Sequence, residues 1–366
     1  MAFRGIFPAP DIEPTEFGLF AVAKPSAPTD EKNEDEWTRG FSQEYNTQPS
    51  YVRVWDETSS SSYVVSDKHT APLYKEIKPI FIEVEDFHST ASLTGEDRFA
   101  RVLTQLEAVS QKALEHELWN GDIASAESLP NLYLSKPGVT VIHDEAAHGN
   151  AYSARRALSL LEHYAGEQSP AGEHGVAHLT RDAFVLMTSN NQLFMDSKDK
   201  QHMQTASGTQ VIIGSGYSGD GPRTAINTIA VTSNVATIVT TGAHYMKVGE
   251  TFKITTNAGG TTFDNSWIVK AVTNTTTFTA DITVANQAAT ATPGNVQMQG
   301  DDNTKWIYMT GKVQARLGKP EVVNDTLAQG YNVSGNQNDM RIKATRAAVA
   351  YFDPSIHLTI KVDLTA

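Results

Sequence analysis

The chain has 366 residues, 40% of them hydrophobic, which is enough for two or three cored domains, and it carries a formal net charge of −13 with no cysteine. The negative balance and the lack of any dense Lys/Arg run exclude a dedicated nucleic-acid reader, which needs clustered cations to replace the counterions along a phosphate backbone. The absence of cysteine excludes a disulfide framework, a thiolate metal site and a cysteine nucleophile, and suits a reducing cytosol.

The first twenty residues, "MAFRGIFPAPDIEPTEFGLF", lack the unbroken apolar core of a signal peptide, and no window reaches the roughly 18 apolar residues of a membrane span. A soluble protein is therefore expected. Residues 1–45 contain Pro8, Pro10, Pro14, Pro25 and Pro28 and then the acidic stretch "TDEKNEDEW", so an extended arm is expected rather than a continuous element. "YVRVWD" (Tyr51 to Asp56) and "YVVSD" (Tyr63 to Asp67) flank the polar bend "ETSSSS" and predict a protruding hairpin. "IKPIFIEVEDF", residues 77–87, alternates as a strand with one buried face.

From Thr94 to Gly121 the period changes to that of a helix. Thr94 and Asp97 are candidate caps, Phe99, Val102, Leu103, Leu106, Val109, Ala113, Leu114 and Leu118 form the apolar stripe, and Gly121 supplies the stop. Such a helix of about 24 residues is roughly 36 Å long. Its carboxylates Glu107, Glu115 and Glu117 read as a solvated face. A second helix fits "AYSARRALSLLEHYAG", with Leu158, Leu161 and Tyr164 inward and Gly166 at its end. "AFVLMTS" and "GTQVIIG" are candidates for buried strands or short helices. Thr228 to Gln299 then holds eighteen threonines and only six charged residues in short alternating runs, which predicts a small all-β module inserted into the surrounding domain. In the last run, "SIHLTIKVDL", Ile356, Leu358, Ile360, Val362 and Leu364 alternate with polar residues as a strand with one face on a core. The fold class is α+β.

A search for chemistry assigns no catalytic, cofactor or metal site and points away from an enzyme. "VIIGSGYSG" (211–219) has the G-x-G-x-x-G spacing of a dinucleotide fingerprint, but Gly221 and Pro222 forbid the helix that should follow, and no acidic residue occurs from Gly221 to Gly249 to hold a ribose. His143 and His148 lie five apart, off the spacing of helical zinc ligands. His174 and His178 lack completing ligands and read as loop and core residues. "MTSNNQ" and "GSGYSG" are not nucleophile elbows. Asn274 fits a glycosylation pattern that has no meaning without secretion.

Four segments, in order, resemble tailed-phage major capsid proteins. "RFARVLTQLEAVSQKALEHELWNG" is similar to their spine helix, which commonly closes on a Glu-x-x-Leu-Trp-type ending, here Glu115 to Trp119. "GTQVIIGSGYSGDGP" (208–222) is similar to a glycine-rich stretch in capsid proteins of phages of actinobacteria, and "KWIYMTGKVQARLG" and "RAAVAYFDPSIHLTIKVDL" resemble later segments of that family. The resemblance implies the Hong Kong 97-type fold: an N-terminal arm at 1–45, an extended loop at 46–76, a peripheral domain at 77–137 and 336–366, and an axial domain at 138–227 and 300–335 interrupted by the β module at 228–299. That module, with His244 before Val248-Gly249-Glu250, resembles a β domain that recurs in phage structural proteins. Within the extended loop, Tyr51, Arg53, Trp55 and Tyr63 become candidate subunit-interface residues. The implied role is a non-enzymatic subunit that self-assembles into pentamers and hexamers of an icosahedral shell around double-stranded DNA, built in a bacterial cytoplasm. The implied partners are copies of itself, a portal, a separate scaffold, DNA bound without specificity, and a decoration protein. Covalent crosslinking through Lys68 is not expected, since nothing in the sequence identifies a partner for it. The alternatives are a nanocompartment shell, which shares the fold, and a tail or decoration protein.

Overall fold

A computed structural model describes residues 16–24, 37–45, 52–55, 62–66, 73–89, 98–144, 149–169, 174–196, 202–256, 263–291, 294–325 and 339–365. The protein is α+β, as the sequence patterns predict, with two sheets, a barrel and a long helix carrying most of the structure.

The helix spans Arg98–Asn120. Val102, Leu106, Leu114 and Leu118 are buried at the expected spacing, and the apolar stripe lies on a sheet formed by Ile80–Ser89 and the long strand Asp339–Phe352. Phe99 and Val109, expected inward, are 44% and 42% exposed. The stripe is thus narrower than the full set of apolar residues, and the candidate caps Thr94 and Asp97 lie outside the described residues. Gly121 adopts φ +59 immediately after the helix, where a Cβ would fall 2.1 Å from the Tyr133 ring, so both the turn and the packing require glycine.

The long strand is the spine of this sheet. Ile80–Ser89 pairs along one side of it, and Val313–Leu317 and Glu321–Asp325 pair in succession along the other. Of the run 77–87, only residues from Ile80 on belong to the strand Ile80–Ser89, with Ile82 buried toward the helix and Phe81 outward as the alternation predicts; Ile77 ends a separate strand, Leu73–Ile77, that pairs with Phe41–Tyr45, and Lys78 and Pro79 break the run.

The second sheet has eight strands, with Val176–Leu179 in its middle; His357–Asp363 lies between Thr304–Thr310 on one side and the edge strands Thr140–Ile142 and Tyr152–Ser153 on the other. Helices Ala154–Gln168 and Arg181–Ser189 contribute Leu158, Leu161, Ala183 and Met187 to its core. "AFVLMTS" is therefore helical, started by Thr180, whose Oγ1 accepts the Ala183 amide at 3.4 Å. "GTQVIIG" supplies the strand Gln210–Ile213, parallel to Val176–Leu179. Two expectations about side chains fail here. Tyr164 is 39% exposed, and the helix runs through Gly166 to Gln168. The last strand is buried on both faces rather than one, because both faces of its sheet are covered: Thr359 donates to the Ile307 carbonyl at 3.0 Å, and Lys361 is only 2% exposed.

The expected grouping of every strand after residue 336 with the long helix also fails at the level of sheets. Asp339–Phe352 does join the helix's sheet, but His357–Asp363 crosses back to the eight-stranded one, while Val313–Asp325 lies with the long strand.

Between Gln210–Ile213 and Thr304–Thr310 the chain builds an all-β unit from Arg223 to Met298. It begins five residues before the compositional change at Thr228. Arg223–Thr232 pairs first with Gly294–Met298 and then with Val235–Thr240, which closes the sheet into a barrel around Ile229, Phe252, Ile254 and Phe278. Closure gives each strand of the ring two partners and leaves Gln287–Ala291, paired only with Arg223–Thr232, as an edge.

Candidate functional site

The glycine-rich segment after Ile213 packs against the C-terminal half of the long helix. Glu115 sits at the centre of that junction, fully buried. Its Oε1 accepts the backbone amide of Leu19 at 3.0 Å and the Gln111 side-chain amide at 2.8 Å. Its Oε2 accepts the Ser215 hydroxyl and the Gly216 amide, both at 3.0 Å. A buried carboxylate is tolerated because each oxygen is met by two donors. Three separate parts of the chain, the N-terminal segment, the helix and the glycine segment, are fastened to one side chain. Gly216 explains its own identity, since a Cβ there would lie 2.3 Å from the Lys112 carbonyl oxygen. The segment is glycine-rich so that it can lie directly on a helix backbone.

One turn further on, Trp119 packs its ring against Tyr217 at 4.7 Å and edge-on to Tyr308 at 4.8 Å. The Trp119 indole and the Tyr308 hydroxyl both donate to the Asp220 carbonyl at 3.1 Å. Behind Tyr217, His178 is wholly buried, with Nδ1 2.8 Å from the Tyr217 hydroxyl and Nε2 2.9 Å from Thr310 Oγ1. Thr310 Oγ1 donates onward to the Gly311 carbonyl, so it accepts from His178 Nε2–H and leaves Nδ1 to accept from tyrosine. Burial holds the imidazole neutral and drives its pKa down to about 3. His178 is therefore a core residue, as the sequence reading has it, and His174 lies exposed in a loop.

The helix end is closed by charge. Glu117 accepts the amides of Ile123 and Ala124 at 3.1 and 2.8 Å, capping the short helix Asp122–Ala126. Burial raises its pKa, and the two amides oppose that rise. Asp122 accepts from His116 at 3.1 Å and from the buried Arg223 at 2.6 Å, and these contacts, His116 first, hold its carboxyl down at about 2. The solvated reading of Glu115 and Glu117 is thus overturned. Glu115, Trp119 and Asp220 organise the junction; the first and second were marked by the Glu-x-x-Leu-Trp ending though not in these roles, and Asp220 carried no signal.

Beside the junction lies an open groove of about 610 Å³, lined by Ile80, Phe81, Val109, Ala113 and Ile123 with Lys112 and His116 at its rim. Of the candidate interface residues, Arg53 and Trp55 fall on strand Val52–Trp55 and Tyr63 on Ser62–Ser66, an antiparallel pair that pairs with no other described strand. Tyr51, Lys68 and His148 lie outside the described residues. His143 is described and sits 5.1 Å from the Tyr245 ring. Among the described residues no group of three or more metal-ligating side chains converges, and no helix is long and apolar enough to cross a membrane.

No family model matches the chain, and no curated protein matches it in sequence. Solved structures do. Over 99% of this chain and 96% of that one, it is similar to a chain of Microbacterium phage Oxtober96 at 12% identity and a TM-score of 0.45. The capsid of a native GTA particle is similar at 9% identity and a TM-score of 0.43, over 99% and 96% of the two chains. An encapsulin complex of Synechococcus elongatus is similar at 11% identity and a TM-score of 0.33, over 87% and 85%.

Proposed function

We propose that this chain is a shell subunit, the major capsid protein of a tailed phage, which assembles into pentamers and hexamers of an icosahedral container for double-stranded DNA and catalyses no reaction. One observation carries the reading. The four sequence segments that resemble capsid proteins, separated by up to about a hundred residues, form a single connected body. The helix ending meets the glycine segment through Glu115 and Trp119, and the two later segments pair with each other as strands in both sheets. Segments that resemble a family by accident have no reason to meet.

The surface supports assembly. The hairpin Val52–Trp55/Ser62–Ser66 sets Val54 beside Tyr63 and Arg53 beside Val64, and a two-stranded ribbon alone is marginal in water. It calls for a second surface, and a neighbouring copy supplies one. Rings of head-to-tail contacts of this kind close into capsomers, and many modest interfaces keep growth correctable. The barrel is assigned to the outer surface, because a folded unit on the inside would compete with packed DNA for volume. A portal, a scaffold and a decoration protein complete the assembly, which takes place in the bacterial cytoplasm. The negative charge suits a lining that must release its genome.

The test is a paired substitution in the ribbon, Arg53→Glu with Trp55→Ala. Closed particles should disappear from electron micrographs while the melting temperature of the soluble subunit stays unchanged. Normal particles from that variant would remove the ribbon from the interface.

A further inference from the structure

The chain enters and leaves the barrel through a neck of two neighbouring crossings, Pro222–Arg223 going out and Met298–Gln299 coming back. Two crossings of the backbone would by themselves act as a hinge. On one side of the neck there is a cleft of about 210 Å³, with Gly138 and Val141 facing Thr241 and Ala243 across it. Room to swing therefore exists on that side.

Several contacts oppose the swing: Arg223 at the neck pairs with Asp122 and donates its amide to the Ser135 carbonyl, and Tyr245 of the barrel packs against His143 and Trp306. A buried charged pair off the neck adds a directional one. Lys361, in the interior strand His357–Asp363 of the eight-stranded sheet, is 2% exposed; its Nζ donates to the Gly149 carbonyl at 2.9 Å and pairs with the Glu250 carboxylate of the barrel. Glu250 is itself held in place, since its other oxygen accepts the Lys247 amide at 2.8 Å and its backbone carbonyl accepts the Val269 amide at 2.9 Å. The neighbouring His244 is fixed in the same way, with Nδ1 accepting the Met246 amide at 3.0 Å and Nε2 reaching the Asn274 carbonyl at 2.9 Å. The loop from His244 to Glu250 is thus rigid within the barrel and ends in a carboxylate aimed at a buried ammonium of the body. Burial pushes the Lys361 pKa down, and Glu250 opposes that shift. A lysine in the middle of a sheet core is costly to bury, and a hydrophobe would serve the core as well. What a lysine adds is one specific partner in one specific position.

We infer that the Lys361–Glu250 pair is an orientation latch, which fixes the direction in which the barrel leaves the body and keeps it from swinging on its neck into the cleft. Whatever the chain assembles into, the barrel is then a rigidly aimed projection. Breaking one partner of the pair would leave a buried charge uncompensated, so the latched arrangement loses its advantage and the barrel samples other tilts.

The absence of native cysteine allows a direct test. Cysteines introduced at two exposed positions, Ser159 on the body and Thr273 on the barrel, carry spin labels, and the labelled chain is diluted into unlabelled protein so that only distances within one chain are read by pulsed electron paramagnetic resonance. The native pair should give one narrow distance distribution. Lys361→Met and the shape-preserving Glu250→Gln should each broaden it to at least about twice the width. Asp281→Asn, which removes the exposed Lys270–Asp281 pair within the barrel, should leave it narrow. An unchanged narrow distribution in both latch variants overturns the inference. So does equal broadening in Asp281→Asn, since that would mean a loosened barrel rather than a released latch.

Discussion

The carboxylate of Glu115 accepts the backbone amide of Gly216 directly at 3.0 Å, joining positions 101 residues apart. The same side chain holds Leu19 and Ser215, so its removal leaves several buried donors without an acceptor. Glu115→Ala should destabilise the subunit by about 3–5 kcal/mol, and Glu115→Gln, which keeps one carbonyl acceptor, by about half of that. Urea unfolding of the soluble subunit measures both.

Two glycines should respond in opposite directions to the same substitution. Gly216→Ala drives a methyl into the Lys112 carbonyl and should cost about 2–4 kcal/mol. Gly166 lies inside a helix and a Cβ there meets nothing within 4 Å, so Gly166→Ala should add about 0.5–1 kcal/mol. Thermal melts of the two variants decide it.

Acid should weaken the fold well above the pH at which its carboxylates titrate. His178 and His357 are buried as neutral imidazoles, with burial holding them down at about 3 and about 4. Unfolding exposes imidazoles that take up protons below about pH 6.5, so the unfolded state binds more protons and stability falls as pH drops from about 6.5 toward those values. Each histidine should remove about 2 kcal/mol between pH 6.5 and 5. His178→Gln should flatten the slope of unfolding free energy against pH in that window, and an unaltered slope would show that the buried imidazole does not set it.

The barrel should appear as density on the outer surface of assembled particles in a reconstruction. Density on the lumen side would refute that placement.

Local pattern made most elements legible. The helix period of residues 98–120 and the strand alternation of residues 80–87 reflect one apolar face each, and one-faced elements advertise themselves. The final strand was legible as strand but not as buried on both faces, because Thr359 and Lys361 are buried through bonds to Ile307 and Glu250 that no alternation encodes. Glu115 was illegible for the same reason: a charged residue on a helix reads as solvated unless its three distant donors, Leu19, Ser215 and Gly216, are known. Gly216 drew attention through its spacing, but the partner that requires it is a helix backbone rather than a phosphate. The transfer of Val313–Asp325 and His357–Asp363 between sheets is a matter of topology, fixed by long-range pairing that single segments do not carry.

The central claim is that this chain uses its surface to bind copies of itself. Sedimentation velocity of the purified protein, with electron microscopy of the fastest fraction, tests that most directly. The account predicts capsomers and closed icosahedral particles that sediment far ahead of a 40 kDa subunit. A single slow species that forms no particles at any ionic strength or protein concentration would contradict it.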